Sequence, residues 1–162
     1  MRLQVNRSDI KQAQLPHNLL IAGLFLLNLL MTPAVIALNV GMWGLLIPLS
    51  STGALIAYIY LRAKKTTDPF IKAHWLLAFR NSRWLMLGYA ISTILIFIAW
   101  LVSLSAASAS MGHIVWTALT RIAILPTLAG VMVTALTEAG AITQAGKCEI
   151  PDSLASTLPP QG

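Results

Sequence analysis

The sequence predicts an all-α integral membrane protein, a four-helix bundle made of two helical hairpins. Three observations carry that class. Of 162 residues, 57% are hydrophobic and only 10% are charged, against roughly 25% charged in a soluble domain. A mean hydropathy of +0.75 leaves too little polar surface to wrap a globule in water. The apolar residues also fall into four runs long enough to cross a bilayer, which takes about 20 residues at 1.5 Å of helical rise each.

The runs are 19–38, 43–61, 84–104 and 114–136, and together they make a four-span domain over 19–145. The first three contain no charge and the fourth contains one, Arg121. Residues 1–18 form a polar leader, and the apolar run after them is longer than the h-region of a signal peptide, so the first span is expected to be retained. The tail, 146–162, holds Pro151, Pro159 and Pro160 and few apolar residues, a composition expected to stay disordered.

Orientation follows from the basic residues. Arg2, Arg7 and Lys11 precede span one; Arg62, Lys64, Lys65, Lys72, Arg80 and Arg83 lie in the 62–83 link; Lys147 follows span four. Ten of the eleven Lys and Arg residues therefore fall on one side, which the positive-inside rule makes cytoplasmic, together with both termini. The expected location is the bacterial inner membrane. Trp43, Trp100 and Trp116 map to the outer interface and Tyr58, Tyr60 and Trp84 to the inner one, as two aromatic belts. The basic excess thus reports topology, and no nucleic-acid-binding motif accompanies it.

Within the 62–83 link, Thr67-Asp68-Pro69 reads as a helix start, with Asp68 as N-cap and Pro69 at the first helical position, where its missing N–H is harmless. The stretch from Pro69 to Arg83 is weakly amphipathic. It is expected to form a short interfacial helix between spans two and three, the alternative being continuity with span three. The same stretch carries Asp68-Pro69-Phe70-Ile71-Lys72-Ala73-His74 and then Ala78. It resembles the Pro-Phe-x-Lys/Arg-x-His-x-x-x-Ala signature of the MamF-like family, small bacterial multi-pass membrane proteins distantly similar to the chloroplast import subunit Tic20. Leu77 stands where that family carries Gln. The resemblance implies a fold and a membrane location, and it opens the reading of a translocation or insertion component.

Polar residues inside the spans are the remaining candidates. Thr120, Ala123, Thr127, Gly130 and Thr134 form a stripe of small residues at spacings of 3 and 4, a face on which two helices can approach closely. Thr137 and Ala141 extend it, and Glu138, five turns after Thr120, ends the same face at the cytoplasmic side. Arg121, Asn28, Thr32 and Ser51 converge near mid-membrane depth, where Pro33, Pro48 and Pro126 are expected to free carbonyls. This group is either polar glue or a small anion-favouring site of the kind a permease uses. Arg121 itself has four outlets: hydrogen bonds within the chain to Asn28, Thr32, Ser51 and the freed carbonyls, snorkelling to the outer face, a carboxylate of a partner, or an anion.

His17, His74 and His113 are far apart in sequence, and Cys148 is alone, so neither a metal site nor a cofactor is expected. His74 either senses protons or hydrogen-bonds a helix end or headgroup. No nucleophile, base and orienting group lie at catalytic spacing. The sequence therefore predicts a non-enzymatic protein, a structural or accessory subunit, with the lipid bilayer and other membrane subunits or further copies of itself as partners.

Overall fold

A computed structural model describes residues 5–38, 44, 46–150 and 154, and the described residues form helices joined by short turns. Four helical runs are long and apolar enough to cross a membrane: Arg7–Val35, Leu46–Lys65, Pro69–Leu104 and Ala109–Gly146. The contact pattern divides the chain into two compact units, one formed by 1–82 and 135–162, the other by 83–134.

In the first unit, helix α1 spans Arg7–Gly23 and passes directly into a π-helical stretch, Leu24–Met31, followed by α2, Thr32–Ala37. Pro33 explains the change of winding, because it has no N–H and its ring crowds the carbonyl one turn back. The Thr32 hydroxyl donates to the Leu27 carbonyl at 3.0 Å, five residues earlier. Leader residues Ala13, Pro16 and His17 are buried in α1, so this part of 1–18 belongs to the folded unit. The turn between the first two spans, 39–43, lies outside the described residues.

Helix α3, Leu46–Lys65, has Pro48 in its first turn. Backbone N–H groups there lack helical partners in any case, so Pro48 bends nothing and frees no carbonyl. The expectation of a freed carbonyl is corrected at this position. The Pro48 carbonyl accepts the hydroxyl of buried Thr52 at 2.8 Å.

Helix α4 runs without interruption from Pro69 to Leu104, 36 residues. It starts where Asp68-Pro69 predicts: the Ile71 N–H donates to Asp68 Oδ1 at 2.9 Å and the Lys72 N–H to the Asp68 carbonyl at 2.9 Å. The separate interfacial helix is thereby corrected to one continuous helix. After Pro69 the segment contains no proline, and its only glycine is Gly88, so nothing in it breaks the winding.

The fourth run is not one regular helix. Helix α5, Ala109–Ala123, is capped by Ser108, whose hydroxyl accepts from the Met111 N–H, and it ends at Ile124. Helix α6, Leu125–Gly146, begins afresh with Pro126 in its first turn. The proline again marks a helix start, where no helical donor is lost.

The main core of the first unit joins Ala13 and Leu20 of α1, Ile59 and Ala63 of α3, Phe70, Trp75 and Ala78 of α4, and Ala141 and Ala145 of α6. Ile150 and Leu154 are buried in it as well. The expected disorder of the tail therefore does not hold at these two positions; 151–153 and 155–162 lie outside the described residues. A capped turn brings the chain back. Cys148 adopts φ 57°, its N–H donates to the Ala145 carbonyl at 3.1 Å, and the Glu149 N–H reaches the Gln144 carbonyl at 3.0 Å. This is the Schellman pattern, with Cys148 in the place usually held by glycine.

Candidate functional site

The most polar feature of the first unit is a line of hydrogen bonds across three helices. Glu138 of α6 stands at its centre. Its Oε1 accepts from Asn81 Nδ2 at 2.7 Å, and its Oε2 lies 2.6 Å from His17 Nδ1. The other ring nitrogen of His17, Nε2, lies 3.1 Å from Nδ1 of His74. The two imidazoles meet edge to face, with ring centroids 5.3 Å apart, and Phe70 packs edge-on against His74 at 5.0 Å.

Each residue is placed by its own helix. Asp68 and Pro69 set the start of α4, which carries His74 and, seven residues on, Asn81, two turns apart on one face. His17 follows Pro16 on the buried side of α1, and Glu138 lies one turn before Ala141 on α6. His17, His74 and Glu138 are all 0% exposed.

Burial dictates the chemistry. A carboxylate removed from water is tolerated only when paired and hydrogen-bonded. Here each carboxylate oxygen has its own donor, and the 2.6 Å contact with His17 is as short as charge-assisted bonds become. Between the two rings, a 3.1 Å gap holds one hydrogen, carried by either nitrogen. The arrangement is a linear relay. Its donor atoms do not converge on a point, and among the described residues no group of three or more His, Cys, Asp or Glu is arranged to hold a metal ion.

In the second unit, α4 and α6 approach closely. A Cβ built on Gly130 would lie 2.9 Å from the Trp84 carbonyl oxygen and 3.5 Å from the Gly88 Cα; one on Gly88 would lie 2.6 Å from the Pro126 carbonyl oxygen. One turn along, Ser92 Oγ accepts both the Thr127 N–H at 3.2 Å and the Thr127 hydroxyl at 2.8 Å. Two of the stripe residues, Thr127 and Gly130, therefore lie against α4 of the same chain. Thr120 and Ala123 precede the break at Ile124 and sit on α5, where the Thr120 hydroxyl donates to the Trp116 carbonyl at 2.8 Å. Ala123 and Thr134 are buried.

The four residues expected at mid-membrane depth are distributed differently. Arg121 belongs to the second unit and its side chain is exposed, whereas Asn28, Thr32 and Ser51 belong to the first. Thr32 is engaged with its own helix, and Asn28 and Ser51 are half-buried. Of the residues resembling the MamF-like signature, Phe70, His74 and Ala78 are buried together on one side of α4, and Asp68 and Pro69 open that helix.

What the sequence reading lacks is the meeting of His17, His74, Glu138 and Asn81. A signal for three of them is present in it. The topology expected from the charge partition groups the end of the leader, the middle link and the end of span four, and a lone carboxylate there needs a partner. Comparison with known protein families, curated proteins and solved structures finds no match to this chain.

Proposed function

We infer that the chain is a non-enzymatic four-span protein of the bacterial inner membrane, with both termini cytoplasmic, acting as a structural or accessory subunit of a larger membrane assembly. One observation carries the reading: several hydroxyl side chains of the helices are spent within the chain. Thr32, Ser50, Thr52, Ser103 and Thr120 each donate to a carbonyl of their own helix, and Thr127 and Ser92 satisfy each other. Side chains exposed to the surroundings include large apolar ones on every long run, among them Phe25, Ile47, Phe97 and Met132. Such a molecule suits lipid and neighbouring helices more than a watery path.

The acid–base groups fit the same reading, since atoms that are fully buried offer a substrate no approach. The permease reading needs polar groups gathered about Arg121; an exposed guanidinium and self-bonded hydroxyls favour the subunit. The test is purification in mild detergent with native mass spectrometry. A stoichiometric complex with other membrane proteins supports the subunit. A pure homo-oligomer that passes anions in liposomes replaces it with the permease.

A further inference from the structure

The relay of Asn81, Glu138, His17 and His74 has a property that a purely structural polar cluster lacks: its geometry holds one proton beyond two neutral imidazoles, and takes a second only by breaking. We propose that it is a proton-operated latch, closed near neutral pH and opened by acid, which holds α1 against α4 and α6 in the first unit.

The reasoning starts from the hydrogens. His17 Nδ1 donates to Glu138, and one hydrogen lies between His17 Nε2 and His74 Nδ1. Whichever ring carries that hydrogen, the other nitrogen must be an unprotonated acceptor. If both rings are protonated as imidazolium ions, an N–H points at an N–H across 3.1 Å, and two positive charges face one carboxylate.

The compensation seen among the described residues is a main-chain hydrogen bond between Glu149 and His74, which leaves the single hydrogen between the two rings unchanged. Among the described residues α1 contributes His17 to the cluster, α6 contributes Glu138, and α4 contributes His74 with neutral Asn81 beside it. α3 brings apolar Ile59 and Ala63 to the same core, while its Arg62, Lys64 and Lys65 are exposed. After α6, the main chain of Glu149 faces His74. With the side chains of His17, His74 and Glu138 fully buried, water cannot screen the added charge until the helices part.

The sign follows by linkage. The open form exposes both imidazoles and binds the second proton; the closed form does not. Acid therefore favours opening, and the open-to-closed ratio rises about tenfold per pH unit for one proton taken up. The window lies where exposed imidazole titrates, about pH 6.5.

The test uses the full chain in lipid nanodiscs, with Cys148 replaced by Ser and spin labels on Ser8→Cys of α1 and Thr143→Cys of α6, both exposed positions. Pulsed electron resonance should give one distance at about pH 7.5 and a second, longer one growing toward about pH 5, on either side of imidazole's ordinary range. His74→Asn keeps a polar group near Nδ1 but takes up no proton, and it should abolish the response. An unchanged distance in the parent, or opening of His74→Asn at the same pH, overturns the latch. Should that variant fail to fold, nitrogen-15 spectra of the histidines in the parent decide, with exposed His113 as reference. Proton uptake at the pair must coincide with the lengthening, and either event without the other overturns the proposal. The measurement reads the chain alone, so its outcome is separable from that of the subunit reading.

Discussion

Gly130 on α6 and Gly88 on α4 each face the backbone of the opposite helix: a Cβ on Gly130 would stand 2.9 Å from the Trp84 carbonyl oxygen, and one on Gly88 only 2.6 Å from the Pro126 carbonyl oxygen. The listener on the other side of each glycine is backbone, which cannot swing away. Gly88→Ala should cost about 1–3 kcal/mol, as overpacking does, and Gly130→Ala somewhat less. Gly140 on α6 has nothing within 4 Å of its added Cβ; Gly140→Ala should be neutral or gain up to about 1 kcal/mol through helix propensity. Thermal unfolding in detergent compares them. Equal effects at Gly88 and Gly140 would dissolve the close contact. Ala129→Leu, at an exposed neighbour on the same helix, should cost little despite its bulk.

Asn81 supplies the only side-chain donor to Glu138 Oε1 among the described residues. Asn81→Ala leaves that oxygen buried and unpaired, at a cost of about 1–3 kcal/mol. Asn81→Asp sets a second carboxyl against the first and should be worse near neutral pH, recovering part of the loss on acidification as one carboxyl takes up a proton. Melting temperatures measured against pH separate the two variants, and a pH-independent deficit in Asn81→Asp would contradict this account.

The left-handed φ of Cys148 is the position where a side chain is least welcome. Cys148→Gly should stabilise the first unit by about 1 kcal/mol, seen as slower hydrogen exchange at the end of α6. No gain would mean that the thiol makes a contact worth as much as the strain.

Arg121 is exposed. Placing a basic side chain near a helix centre costs about 2.5–3.5 kcal/mol on insertion scales, so Arg121→Leu should insert at least as well as the parent. Arg121→Lys should behave like the parent if the side chain only reaches toward the interface, because Lys reaches comparably but lacks the planar fork. Loss of assembly in Arg121→Lys, read by native gel, would instead identify a multidentate partner.

The four apolar runs are legible because a length of about 20 uncharged residues is a physical requirement with few other causes. Helix continuity across 69–104 is not. Lys72, Arg80 and Arg83 suggest a surface helix of its own, yet a helix of 36 residues is about 54 Å long and leaves ample length for charged turns beyond an apolar layer of about 30 Å. The stripe of small residues contains the glycine and threonine that touch α4, but periodicity cannot reveal that Pro126 restarts the helix within it. The buried relay escapes for another reason. His17 and Glu138 are 121 residues apart and each has a commonplace reading alone; only packing shows that they answer one another. Ile150 and Leu154 escape because the αL turn that returns them to the core is made by Cys148, where composition offers no glycine to announce it.

The π-helical stretch Leu24–Met31 carries a mechanical consequence. Wider turns rise less per residue than the 1.5 Å of an α-helix, so these eight residues span less depth than their number allows. Rewinding them would lengthen the first apolar run without adding a residue, and tightening it again would shorten it. The stretch thus stores length in its winding, which a straight α-helix of the same eight residues would not.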